Sequence, residues 1–191
     1  MSSKSKFLIR HARREDTALI LGFIRELATY EKLAHEVTAT EKDIETHLFG
    51  THPVAEAIIT EYQRIPVGFA LFFHNFSTFV GRPGLYLEDL YVKPEFRGKG
   101  YGRKMLTWLA RLALQRGCGR FEWAVLDWNA PAIRFYQSLG AHIMQEWRIN
   151  RVSGKALANL AAAAGEYGIQ NDDSGTSPGN TSGANSDNAL R

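Results

Sequence analysis

The 191-residue chain has one cysteine, Cys118, which excludes an internal disulfide framework and fits a reducing compartment. No stretch approaches the roughly 18 consecutive apolar residues of a membrane span, and the opening ten residues lack the apolar run of a secretory leader. A soluble, cytoplasmic protein without a membrane partner is expected. Neither sign of charge prevails. With 23 basic and 20 acidic residues the net charge is +3, short of the clustered excess of a nucleic-acid binder. The six histidines show no HxxxH spacing and no pairing with cysteine, so no metal site is expected. Cys118 lies between Gly117 and Gly119 without an evident base, which favours a structural thiol over a nucleophile. No internal repeat is present.

What the chain does have is 45% hydrophobic residues, enough for one substantial core at this length. A single domain over residues 1–164 is expected. Residues 165–191 are mostly Gly, Ser, Asn and Asp and are expected to form a disordered polar tail. Phe7–Arg10 reads as a strand, and Leu19, Ile20, Phe23, Ile24 and Leu27 follow at helical spacing. Thr40 is a candidate cap for a second helix that Gly50 stops. Residues 55–62 and 67–76 read as a hairpin, and 85–92 continues the sheet. Met105, Leu106, Leu109, Leu112 and Ala113 then mark a helix, 121–126 a strand, and Asn129-Ala-Pro131 another helix start. Residues 141–151 are expected to return as a strand. The order is an α/β layout with an antiparallel middle and a crossover.

The stretch 85–102 carries most of the chemistry. A strand runs into a turn with Gly98, Gly100 and Gly102, which opens a helix. Glycines permit positive φ, the first helical turn has free N–H groups, and Arg97, Lys99, Arg103 and Lys104 add positive charge. Such a turn suits a pyrophosphate. A P-loop does not fit, because no glycine stands at the required distance before Lys99 or Lys104. A dinucleotide fold is a weaker alternative, since the glycines run GxGxG instead of GxGxxG. A solvated basic helix start, with glycines serving only the turn, is the plain reading.

Arg97-Gly-Lys-Gly100-Tyr-Gly102 resembles the RxxGxG signature of the GNAT acetyltransferases. Further similarity covers nearly the whole chain before the tail: Arg25–Leu33, Thr40–Asp43, Phe49–Pro53, Tyr86–Asp89, Asp127–Asn129 and Phe135-Tyr136 resemble the diamine and thialysine N-acetyltransferase branch. The resemblance implies a GNAT fold, a mixed and largely antiparallel sheet flanked by helices, with acetyl-CoA in the splay between central strands. It also implies acetyl transfer to a small primary amine in a ternary complex, and a homodimer. A CoA-binding module without turnover and an enzyme acting on protein amines remain alternatives.

In that family a glutamate at the position of Glu88 is linked to deprotonating the amine, and Tyr136 matches the acid that protonates the CoA sulfur. Without the resemblance, Tyr136 beside Phe135 would read as core, and Glu88 and Asp89 as consecutive strand residues facing opposite sides. The backbone of Leu90, Tyr91 and Val92 is expected to pair with pantetheine. Arg97, Gly98, Lys99, Gly100, Tyr101, Gly102 and Arg103 are expected to hold the diphosphate. Asn129 resembles a pantetheine-binding residue but is also a natural helix N-cap. Tyr30, Glu31, Glu36, Glu88 and Asp89 are candidates for an acidic acceptor wall. Polyamine acetylases carry an Asp-Pro-Trp element before the Tyr86–Asp89 motif, whereas this chain has Asn75–Phe79 there. That difference moves the resemblance toward the thialysine branch, where Arg82 is a candidate partner for a substrate carboxylate.

Overall fold

The computed structural model describes residues 6–166, so most of the expected tail lies outside the described residues. The chain divides between Leu139 and Gly140 into two units.

The first unit is built on a five-stranded sheet in the order β1-β2-β3-β4-β5: β1 (Phe7–His11), β2 (Glu56–Tyr62), β3 (Ile65–Ser77), β4 (Arg82–Val92) and β5 (Arg120–Trp123). The first four strands are antiparallel neighbours. β2 and β3 meet in a two-residue turn in which Gln63 and Arg64 both have positive φ, 53° and 69°. That is the backbone of the hairpin turn whose twist suits the flanking strands. β5 runs parallel to β4, which requires a crossover, and α3 (Tyr101–Gln115) supplies it.

Helices cover both faces. α1 (Thr17–Tyr30) and α2 (Glu41–Phe49) pack Ile20, Leu21, Phe23 and Ile44 against Ala57, Ile59, Phe69 and Tyr91. On the opposite face α3 packs Met105, Leu106, Leu109 and Ala113 against Ile58, Ala70, Phe72, Leu85 and Leu87. Alternate residues of β2 and β3 thus feed alternate cores, as the two-residue period of a strand requires. Cys118 is buried with the second of these cores. Thr40 caps α2 as expected, its hydroxyl accepting from the Asp43 N–H while Asp43 accepts from the Thr40 N–H at 2.9 Å.

The alternation breaks once, with consequences for the site. Leu71 pairs with Asp89 but Phe72 pairs with Leu87, so Glu88 is the extra residue of a β-bulge. Before it, Leu85 and Leu87 enter the α3 core. After it, Leu90 and Val92 pack there and Tyr91 enters the α1 core. The phase slips by one residue, which corrects the expectation that Glu88 and Asp89 face opposite sides. Glu88, out of phase with Leu87, and Asp89, in phase with Tyr91, both belong to the α1 face.

The second unit corrects another expectation. Residues 141–151 form no strand; their ordered backbone contact is the Trp147 N–H to the Met144 carbonyl at 3.3 Å. A strand exists only through a paired neighbour, and the alternating side chains of this segment find none in the described chain. Helix α5 (Gly154–Ala162) follows, where residues rich in Ala and Leu favour helix.

Candidate active site

The turn between β4 and α3 holds an array of unspent hydrogen-bond donors. Gly98 and Gly100 have φ of 74° and 78°, left-handed conformations that glycine adopts without a Cβ penalty. Arg97 N–H still bonds the Pro94 carbonyl, and Lys104 N–H bonds the Gly100 carbonyl. Between them the amides of Gly98, Lys99, Gly100, Tyr101, Gly102 and Arg103 meet no acceptor among the described residues. Gly100, the residue before α3, brings no capping side chain either. These six N–H groups at the positive end of a 15-residue helix form an anion cradle.

The basic side chains around it are not neutralised. Arg97 donates from Nε to the Val92 carbonyl at 2.9 Å and lies 4.5 Å from the Tyr30 ring centroid. Lys99 donates to the Glu95 carbonyl at 3.0 Å, and Arg103 to the Ser138 hydroxyl at 3.3 Å. Lys104 stands over the Phe7 ring. Among the described residues none of the four forms an ion pair with a carboxylate. A dianion would therefore meet unopposed positive potential here.

Beside the cradle the sheet opens. The last β4–β5 pair is Leu87 with Trp123, while β4 continues to Val92. Among the described residues the backbone from Glu88 to Val92 has no strand neighbour on its β5 side, so Leu90, Tyr91 and Val92 border a gap in which an extended chain can pair.

Asn129 follows that gap. Its Oδ1 caps α4 (Ala130–Gln137) by accepting from the Ala132 N–H at 3.3 Å, and also accepts from the Tyr30 hydroxyl at 3.4 Å. The cap occupies only the oxygen. Among the described residues its amide NH2 has no partner, so capping and ligand binding are compatible.

Tyr136, on α4, is half-buried with its ring 5.2 Å from that of Trp123. Burial first, then the negative charge of Glu31, pushes its hydroxyl up to about 12. Asp89 is also half-buried, and burial, followed by Glu88 and Glu31, pushes its carboxyl up to about 6. Burial raises Glu31 as well. Electrostatics thus link Glu31 and Glu88 to Asp89, and Glu31 and Tyr30 to Tyr136. Glu36 differs: it is well exposed and pairs with His35 at 3.3 Å, at the rim of this group in sequence. Arg82 lies elsewhere. It is the first residue of β4, six residues before Glu88, and at about 3.4 Å per residue that is about 20 Å along the strand.

The sequence reading overlooked two residues. Trp128 lies 6.0 Å from the Tyr30 ring, and Lys32 stands 5.9 Å over Trp128. Asp127-Trp-Asn129 was a visible motif, but only its asparagine suggested a task. Among the described residues no three metal-ligating side chains come together, and no helix is long and apolar enough to cross a membrane.

Residues 9–141 match the model of the acetyltransferase (GNAT) family, and the chain belongs to that family. It falls in the diamine and thialysine branch of N-acetyltransferases. It is 41% identical over 165 residues to the thialysine N-epsilon-acetyltransferase of Sus scrofa, covering 81% of this chain and 96% of that one. It is 30% identical over 194 residues to an L-ornithine N5-acetyltransferase of Arabidopsis thaliana, covering 78% of this chain and 85% of the relative. An integron cassette protein from V. cholerae shares the fold, with a TM-score of 0.70, 27% identity, and coverage of 83% of this chain and 99% of its own. The expectations of a GNAT fold and of an N-acetyltransferase are met.

Proposed function

We propose that the protein transfers the acetyl group of acetyl-CoA to the primary amine of a small molecule, a thialysine-like amino acid, a diamine or a polyamine, in a ternary complex. The observation carrying the reading is the cradle of six amides that meet no acceptor among the described residues, with four nearby cations that form no ion pair there, next to a stretch of β4 without a strand neighbour. It fits a diphosphate joined to an extended arm. Residues 97–103 would hold the diphosphate, the backbone of Leu90–Val92 the arm, and the Asn129 amide a carbonyl of that arm.

Acetyl-CoA supplies the activated acyl group as a thioester. The acceptor poses the harder proton problem, because a free alkylamine has a pKa of about 10.4 and cannot attack while protonated. Asp89, Glu31 and Glu36 attract the ammonium. Glu88, on the bulge, takes its proton through water. A backbone N–H among Leu90–Val92 donates to the carbonyl oxygen as negative charge develops there. The Tyr136 hydroxyl gives its proton to the leaving sulfur. At about 12 it stays protonated throughout the neutral range, and an acceptor cation beside Glu31 relieves part of the charge that raises it.

A homodimer belongs to the proposal, and exposed apolar side chains between 141 and 153 support it: Trp147 is 66% and Ile149 78% exposed. Light scattering of the purified chain should give twice the monomer mass, and Ile149→Glu should shift it toward monomer. A reducing cytoplasm is the proposed location.

The test of function is thiol release from acetyl-CoA with a panel of thialysine, ornithine, diamines and polyamines. Release with at least one small amine is expected. CoA binding without release on any of them would leave a binding module instead, and transfer only to protein amines would replace the acceptor class.

A further inference from the structure

We infer that Lys32 sets acceptor specificity: its ammonium, carried on the Trp128 ring beside the acidic wall, takes the carboxylate of an amino-acid acceptor and disfavours acceptors that are cationic at both ends. This rests on the acetyl-transfer reading above and names the acceptor class for that site.

The first support is backbone. α1 ends in a Schellman cap: the Lys32 N–H bonds the Thr29 carbonyl at 3.2 Å, the Leu33 N–H bonds the Ala28 carbonyl at 2.8 Å, and Lys32 between them has φ 63°. Glycine fills that position most cheaply, and α3 in the same chain does so with Gly117 at φ 70°. A lysine that occupies it bears a conformational cost with no return in the cap itself.

The second is charge. Glu31 is the neighbouring residue and Glu36 lies four further on, yet among the described residues Lys32 forms an ion pair with neither; its ammonium stands 5.9 Å over the Trp128 ring. The ammonium is positioned but not neutralised. Trp128 in turn leans on Tyr30, whose hydroxyl reaches Asn129, so Lys32 is tied to the loops that frame the site.

The third is length. In a lysine-like acceptor about six bonds, or about 7–8 Å, separate the reacting amine from the carboxylate. Glu31, one residue from Lys32, is close enough to Asp89 and Tyr136 to raise both. Trp128, under Lys32, lies 6.0 Å from the Tyr30 ring, so an acceptor whose amine enters the Glu88 and Asp89 end would extend its carboxylate toward Lys32 and its α-ammonium toward Glu31. Arg82, too far along β4, cannot serve in this place.

The test uses the full chain with two acceptors that differ only in the carboxylate, thialysine and bis(2-aminoethyl) sulfide. Lys32→Ala should raise KM for thialysine by up to about fivefold, the upper end for an exposed charge pair, and change KM for the sulfide by less than about 1.5-fold. Lys32→Arg should restore the discrimination, and Lys32→Glu should lower KM for the sulfide. Parallel changes for both acceptors, or none in Lys32→Ala, would overturn the inference while leaving acetyl transfer standing. Failure of the wild-type protein to acetylate either acceptor or any other amine would instead remove the functional reading, and this inference with it.

Discussion

Replacing Asp89 by asparagine should stabilise the protein at neutral pH while weakening it as a catalyst. Burial, Glu88 and Glu31 push the Asp89 carboxyl from 3.8 up to about 6 in the folded chain. Between those values the folded state binds more protons than the unfolded one, so this group's effect on stability falls as pH rises. It contributes no penalty below about pH 4 and its full penalty above about pH 6. A shift of about 2 units corresponds to about 3 kcal/mol, an upper figure because the side chain is only half-buried. Asparagine keeps the shape and sheds the charge. Urea unfolding of wild type and Asp89→Asn at pH 4, 5, 6 and 8 should show a difference near zero at pH 4 that grows to about 2–3 kcal/mol in favour of the variant by pH 8. Asp16 titrates the opposite way, lowered first by its hydrogen bond to Arg10, and so it shapes the wild-type curve. It cancels from the difference. KM for the acceptor should rise in the same variant. A difference that is flat with pH, or a variant less stable at pH 8, would refute the account of Asp89.

Three further substitutions separate the parts of the site. Tyr136→Phe keeps the packing on Trp123 and should lower kcat about 100-fold with CoA affinity within about twofold, read by steady-state kinetics and calorimetry. Glu88→Gln lies on an exposed bulge and should leave the unfolding free energy within about 0.5 kcal/mol while kcat/KM drops at least about tenfold. Gly100→Ala forces a Cβ into φ 78°, where no neighbour lies within 4 Å, so its cost is purely conformational, about 1–2 kcal/mol. If the loop relaxes to avoid that cost, CoA affinity should fall about tenfold, and unchanged affinity with unchanged stability would count against the cradle.

Features that depend on local chain chemistry were legible in the sequence. The α3 face, the Thr40 cap and the positive φ of Gly98 and Gly100 each follow from a few neighbouring residues and appear where the spacing puts them, whereas Gly102, expected in the turn with them, lies inside α3 without a positive φ, where a Cβ would come 3.7 Å from the Phe135 ring. Features that depend on a partner were not. The bulge at Glu88 arises from registry with β3 and carries no glycine or other local mark, so simple alternation misplaced one of two adjacent carboxylates. The segment 141–151 has strand-like side chains but no neighbour to pair with in the described residues. Lys32 was hidden for a related reason: a Schellman cap announces itself through glycine, and here the position holds lysine. α5 did leave a signal, Ser153 before a run of Ala and Leu, that the expectation of further strand obscured.

The two halves of the site are built from different materials, and this governs how each tolerates change. The cradle is made of backbone N–H groups, whose direction depends on φ and ψ at Gly98 and Gly100 and hardly on which side chains follow them. Removing one exposed cation such as Lys99 or Arg103 costs about 1 kcal/mol or less. The proposed acceptor end is made of side chains on three separate elements, the end of α1, the β4 bulge and the loop before α4, and each would enter the recognition of the amine singly. On the proposed reading, Lys32→Glu would reverse the charge at the acceptor's far end without disturbing one amide of the cradle. The same scaffold could then keep its acyl donor while exchanging its acceptor, and that exchange would fall at Lys32, beside Trp128, not in the glycine turn.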